Sequence, residues 1–116
     1  MQTYNVMIDG DTSVDQLAEL VGPLIGLPAV ETDAGVNYDG GVYFIADCEK
    51  DGVWYEDDLG IPLSRYRFQI GTTAWDSYEW ARRVFALLSA RTTWDLLWLA
   101  DLQHVEARRP ALVPAT

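Results

Sequence analysis

The sequence predicts an α+β domain in which two helices cover one face of a mainly antiparallel sheet. Three observations carry this expectation. Segments near 3–9 and 64–72 alternate apolar and polar residues and 42–48 reads as a strand; two segments, 12–25 and 77–90, repeat apolar residues at helical spacing; and their order is strand, helix, several strands, helix, strand. At 116 residues and 49% hydrophobic content, the chain supplies one core and no second domain.

"TYNVMID" alternates around Tyr4, Val6 and Ile8 and ends at the turn formers Asp9, Gly10 and Asp11. Thr12 or Ser13 then caps a helix, with Asp15 or Gln16 completing a capping box and Leu17, Leu20, Val21, Leu24 and Ile25 on its apolar face. Gly22 and Pro23 predict that this helix stops near Val21 and re-forms briefly. Over 27–41, Val30 and Thr32 permit a short strand, whereas Gly35, Asn37, Gly40 and Gly41 favour a loop. "VYFIADC" (42–48) reads as a strand, "EKDG" as a turn and "VWYE" as a second strand. In "SRYRFQIGT" (64–72), Tyr66, Phe68 and Ile70 alternate with Arg65, Arg67 and Gln69, predicting a half-buried strand with one wet face.

Asp76 caps the stronger helix, 77–90, whose inward stripe is Tyr78, Ala81, Val84, Phe85 and Leu88. "TWDLLWLA" (93–100) reads as a buried final strand, "DLQHVEARR" (101–109) as a short exposed helix and 110–116 as a frayed tail. The domain is thus expected to span 1–109, with four to five strands in a ferredoxin-like variant whose second sheet face lies open.

Charge is unevenly distributed. The chain carries a formal net charge of −10; residues 1–64 hold 13 acids and a single base, Lys50, while 65–116 hold 5 acids and 7 arginines. This balance argues against nucleic acid and anionic membranes as ligands and favours a cationic protein partner met by the N-terminal half. One cysteine, Cys48, leaves no internal disulfide, and with one histidine, His104, there is no zinc-ligand set, so a reducing, cytoplasmic setting is expected. The segment "MQTYNVMIDGD" shows neither the basic start nor the apolar run of a secretory leader.

The stretch "DCEKDGVWYEDD" (47–58) places Asp47, Glu49, Asp51, Gly52 and Asp58 at the spacing of an EF-hand loop. Its flanks are strand-like rather than helical, and position 12 is Asp58 rather than the longer Glu that binds in bidentate fashion, so the metal reading is set aside and no cofactor is expected. The alternative is an acidic hairpin turning at Asp51 and Gly52, with Asp47, Glu49 and Asp51 partly aligned and Trp54, Tyr55, Glu56, Asp57 and Asp58 completing an acidic and aromatic surface. That hairpin either docks a partner or stands exposed with Trp54 turned into the core.

Other chemistry is sparse. Asp9 and Asp11 form a D-x-D pattern that here reads as turn and cap chemistry. His104, flanked by Asp101 and Glu106, reads as a solvated histidine, and the acids around Cys48 make it a poor nucleophile. Trp80, Trp94 and Trp98 read as core, the alternative being that an exposed subset offers anchors to another protein. No phosphate-binding loop, nucleophile elbow or dinucleotide fingerprint appears, and the chain is not expected to be an enzyme.

The pattern "RYRFQIG...YEWARRVFALLSARTTWDLLWLADLQHVEARR" over 64–109, in a small acidic α+β chain, resembles the immunity proteins of bacterial polymorphic-toxin and contact-dependent inhibition systems. The resemblance implies a cytoplasmic antidote, a monomer or weak homodimer, that occludes the active site of one cognate toxin domain. It carries over no site residues. An adaptor subunit of a bacterial assembly and a small enzyme or ligand-binding domain are the alternative expectations.

Overall fold

The computed structural model describes residues 3–51, 60–74 and 77–112. Its strands are β1 (Tyr4–Asp9), β2 (Ala29–Glu31), β3 (Gly35–Tyr38), β4 (Tyr43–Asp47), β5 (Phe68–Thr72), β6 (Asp95–Ala100) and β7 (His104–Arg109). The helices are α1 (Val14–Ile25), the single turn α2 (Cys48–Asp51) and α3 (Tyr78–Arg91). The strands join one sheet in the order β2-β3-β4-β5-β1-β6-β7, and every neighbouring pair is antiparallel. The α+β class with an antiparallel sheet is therefore as expected, but the sheet has seven strands rather than four or five, and the helices number three rather than two.

Two interleaved crossovers build the centre. Helix α1 lies in the connection from β1 to β4, strands separated by β5, and α3 connects β5 to β6, strands separated by β1. Both long helices lie on one face, where Leu17, Val21, Ala81, Val84 and Leu88 bury against Val6, Ile8, Ile45, Phe68, Ile70 and Leu96. Helix α1 begins as its sequence demands: the Ser13 hydroxyl accepts the Gln16 N–H at 3.2 Å. It does not break at Val21. Pro23 sits in the last turn, and the helix runs on to Ile25, where Gly26 takes a left-handed φ of 72° and returns its N–H to the Gly22 carbonyl. Asp76, the expected cap of α3, lies outside the described residues.

Aromatic packing supports the core assignment of Trp80, Trp94 and Trp98. Trp98 is surrounded by Tyr4, Tyr78 and Phe85, with ring centroids 5.0–6.4 Å away, and Trp80 meets Tyr43 at 5.0 Å. Trp94 packs at the margin of the same cluster.

Five further expectations are corrected. The segment 27–41, read mainly as loop, forms the β2–β3 hairpin, closed by the Thr32 N–H to Gly35 carbonyl bond. Residues 101–109, read as a helix, form a turn and the edge strand β7. The turn puts Asp101 and Leu102 at φ of 53° and 56°, a conformation that reverses the chain between twisted strands without the usual glycine. Asp101 is held there by the Thr3 N–H and hydroxyl, which donate to its carboxylate at 2.8 and 3.2 Å.

The strand expected over 64–72 begins only at Phe68, because Leu63–Arg65 form a short helical turn. That turn also closes the sheet face expected to be open. Ile61, Leu63 and Tyr66 lie over Met7, Leu97 and Leu99 as a second, smaller core, so β6 is buried on both faces and reads as a continuous apolar run. Gln69, assigned to a wet face, is buried.

The β3–β4 pairing is close enough that a side chain on Gly35 would overlap the Ile45 carbonyl oxygen, which belongs to the backbone and cannot swing aside. Gly35→Ala is expected to lower the unfolding free energy toward the upper end of about 1–3 kcal/mol in a denaturant titration. A change below a few tenths would show that the hairpin shifts freely.

Candidate functional site

The chemistry collects at one end of the sheet, where β1 and β4 finish and β5 and β6 begin. Two carboxylates are buried there, and each is gripped by an arginine.

Asp47, the last residue of β4, is only 2% exposed. Arg67 donates to both of its oxygens, Nε to Oδ1 at 3.0 Å and Nη2 to Oδ2 at 2.9 Å, and the Glu49 N–H donates to Oδ1 at 3.0 Å. The Arg67 bond, aided by its charge and by the backbone donors, holds the Asp47 carboxyl below the usual range against the opposing effect of burial. Accepting that Glu49 N–H makes Asp47 the cap of α2. This is why 48–51 coil into a helical turn instead of the tight hairpin turn expected at "EKDG": the cap is available within the segment itself, and Arg67 fixes it.

The positions read from the sequence are therefore distributed differently. Asp47 faces inward with Arg67. Glu49 is mostly exposed and lies 3.1 Å from Arg67 Nη1. Asp51 closes the helical turn, so its backbone continues no strand that would align it with Asp47 and Glu49. Trp54, Tyr55, Glu56, Asp57 and Asp58 lie outside the described residues. The EF-hand spacing also loses its geometry within 47–51, since its first carboxylate is paired and the next residues are helical. Among the described residues, no group of three or more His, Cys, Asp or Glu side chains is placed to hold a metal ion.

The second buried carboxylate, Asp95, went unnoticed in the sequence. It opens β6 and is 3% exposed. The Tyr66 hydroxyl donates to Oδ1 at 2.7 Å, Arg108 grips both oxygens at 3.3 and 2.8 Å, and Arg65 stands 3.5 Å from Oδ2. Arg65 also reaches Asp9 at 3.5 Å, so one carboxylate of the D-x-D belongs to this network. Burial alone would raise the Asp95 pKa, but the bonds from Arg108 and Tyr66, with the arginine charges, outweigh it and hold the carboxyl low. Burial, reinforced by the bond to Asp95, pushes the Tyr66 hydroxyl up to about 12. The only sequence signal for this cluster was an aspartate inside an apolar run. Its partners stand 13 and 29 residues away, beyond any local pattern.

Beside Asp47 the surface opens into two adjoining clefts. One is lined by Thr12, Ser13, Asp15, Asp47, Lys50 and Arg67; the other includes Asp15, Glu31, Asp33 and Lys50. Val14, Asp15 and Lys50 border both, so acids from α1, β2 and the β2–β3 turn come together around one lysine. Asp11, Asp15, Glu19, Glu31, Asp33 and Asp39 are all exposed, and none belongs to an ion pair among the described residues.

Elsewhere the candidate groups stay apart. His104 opens β7 on the surface, while Asp101 is bonded to Thr3. Cys48 is buried, with its N–H donating to the Arg67 carbonyl. The Ser77 hydroxyl is buried at the start of α3 with no hydrogen-bond partner among the described residues. No helix among the described residues is long and apolar enough to cross a membrane. Comparison with protein-family models, curated proteins and solved structures gives no match to this chain.

The Asp95 cluster has a pH signature whose sign is fixed by its shifts. Tyr66 is raised from 10.0 to about 12, so its contribution is complete below pH 10.0 and fades as pH rises toward about 12. Asp95 is lowered below 3.8, so its contribution is complete above that value and is lost as pH falls further. Tyr66→Phe removes a buried bond to a charged acceptor and is expected to lose about 2 kcal/mol at neutral pH. Chemical unfolding followed from pH 7 to 12 checks this: the variant should show a flatter alkaline decline than the parent, and an identical decline would remove Tyr66 as its source.

Proposed function

We propose that this protein is an immunity protein that binds a cognate, basic toxin domain and occludes its active site, acting in the cytoplasm, as a monomer or weak homodimer and without catalysis of its own. The inner strands β4-β5-β1-β6 with α1 and α3 are read as a ferredoxin-like core, to which the β2–β3 hairpin and β7 add an edge each.

The observation that supports this reading is how the charges are used. Of the seven arginines, Arg65, Arg67, Arg82 and Arg108 pair with carboxylates of the same chain, and Arg109 binds backbone carbonyls at the end of α3. Six exposed acids between residues 11 and 39 have no such pairing among the described residues. Five of the eight bases are thus engaged within the chain, while these six acids face outward. A surface of this kind accelerates encounter with a cationic partner and covers a cleft that otherwise holds nucleic acid. In this proposal the exposed acids of 11–39 act together with the acidic and aromatic stretch read from the sequence over 47–58, with Glu49, Asp51, Glu56, Asp57 and Asp58 as its acids and Trp54 and Tyr55 as anchors.

Co-purification of the tagged chain from its host at low and moderate salt tests the proposal. One stoichiometric partner with a basic domain is the expected result; recovery of the protein alone would count against it. With that partner in hand, replacing Asp15, Glu31 and Asp33 together by lysine should slow association by about tenfold or more at low salt and flatten its salt dependence, while circular dichroism stays unchanged. An undiminished association rate would exclude this surface.

A further inference from the structure

We propose that the outer edge of β2 receives an extended, cationic segment of the protein partner, which adds to the sheet as a further strand. The inference rests on the reading of a basic protein partner and specifies how that partner is held.

The register shows which backbone groups are available. Thr32 donates to the Gly35 carbonyl, and antiparallel pairs alternate between bonded and non-bonded, so Val30 bonds to Asn37 while Glu31 opposite Val36 and Ala29 opposite Tyr38 do not. The N–H and C=O groups of Ala29 and Glu31 consequently point away from β3. Among the described residues, β2 is the last strand of the sheet on that side.

The two edges are built differently. β7 carries an irregularity opposite Trp98 and Leu99 and is followed by Pro110, with Glu106, Arg108 and Arg109 along it, features that discourage strand addition. β2 has no such irregularity. Its three residues are all exposed, Val30 is 64% and Leu27 42% exposed, and both are large apolar side chains. Pro28 bounds the strand on one side, which confines pairing to Ala29 and Glu31.

Charge selects the occupant. Glu31 lies in the edge strand and Asp33 in the turn that follows it, both exposed and neither in an ion pair among the described residues, so an incoming strand with cationic side chains is favoured. A second copy of this chain is disfavoured, because pairing β2 with β2 sets Glu31 and Asp33 against themselves in chains that each carry −10. Because Val30 and Glu31 point to opposite sheet faces, the matching strand alternates apolar and basic residues.

Amide hydrogen exchange read by NMR on the intact protein tests this, with a synthetic octapeptide alternating lysine and valine as the probe at millimolar concentration. Exchange of the Ala29 and Glu31 amides should slow by about tenfold or more, and an octapeptide alternating glutamate and valine should leave it unchanged. Ala29→Pro deletes one outward N–H while leaving the inward bonds of Val30 and Thr32 in place, which unaltered protection of the β3 amides verifies, and it should abolish protection of Glu31. The proposal is overturned by no slowing, by equal slowing with the acidic peptide, by slowing at β7 instead, or by slowing that grows with protein concentration in the absence of peptide, which would identify a second copy as the occupant. None of these outcomes touches the salt-dependent association that tests the proposed function, so the two readings fail separately.

Discussion

A single buried carboxylate organises one side of this molecule. Asp95 lies at the start of β6, all six residues of which are buried, and an unpaired charge there would destabilise the fold by several kcal/mol. Its pairing draws in three separate stretches of chain. Tyr66 brings the segment that covers the second sheet face, Arg65 ties that segment to the end of β1, and Arg108 fixes β7 on the far edge. The second apolar core and the position of the last strand thus depend on the same pair of oxygens. Asp47 repeats the arrangement on a smaller scale: one bidentate arginine and one backbone donor determine where β4 ends and how the chain turns away from it.

These two networks also explain the external charge. An acidic chain with few bases would be expected to scatter its arginines over the surface as compensation, but here three of the seven, Arg65, Arg67 and Arg108, face carboxylates that the fold has buried or half-buried. Structural demand ties these guanidinium groups to carboxylates of the same chain, and the acids of α1 and the β2–β3 hairpin have no ion pair among the described residues, beside a short edge strand.

Local chemistry was legible in the sequence wherever it decided the outcome. β1 follows from alternation, β4 and β6 from short apolar runs, and the cap of α1 and the apolar stripes of α1 and α3 from capping residues and helical spacing. The failures share a different cause. The turn at Asp101 and Leu102 adopts positive φ without glycine, because Thr3, distant in sequence, holds it. The helical turn after Asp47 depends on Arg67, 20 residues away, and the covering of the second face depends on Tyr66 reaching Asp95. Within the candidate site, the acids could be seen in the sequence, but which of them the fold would neutralise could not, since that depends on pairings between distant segments.

Arg109 gives the chain end an unexpected reach. From the last position of β7 its guanidinium donates to the carbonyls of Ser89, Thr92 and Trp94, the orphan acceptors where α3 stops and the chain turns toward β6. A helix usually closes through a residue adjacent to it in sequence; this one is closed by an edge strand that arrives 17 residues after Thr92. The helix terminus and the edge strand therefore share one fate in local opening. When β7 peels from β6, the last turn of α3 loses its closure in the same event, so two elements that are separate in the topology behave as one cooperative unit of unfolding.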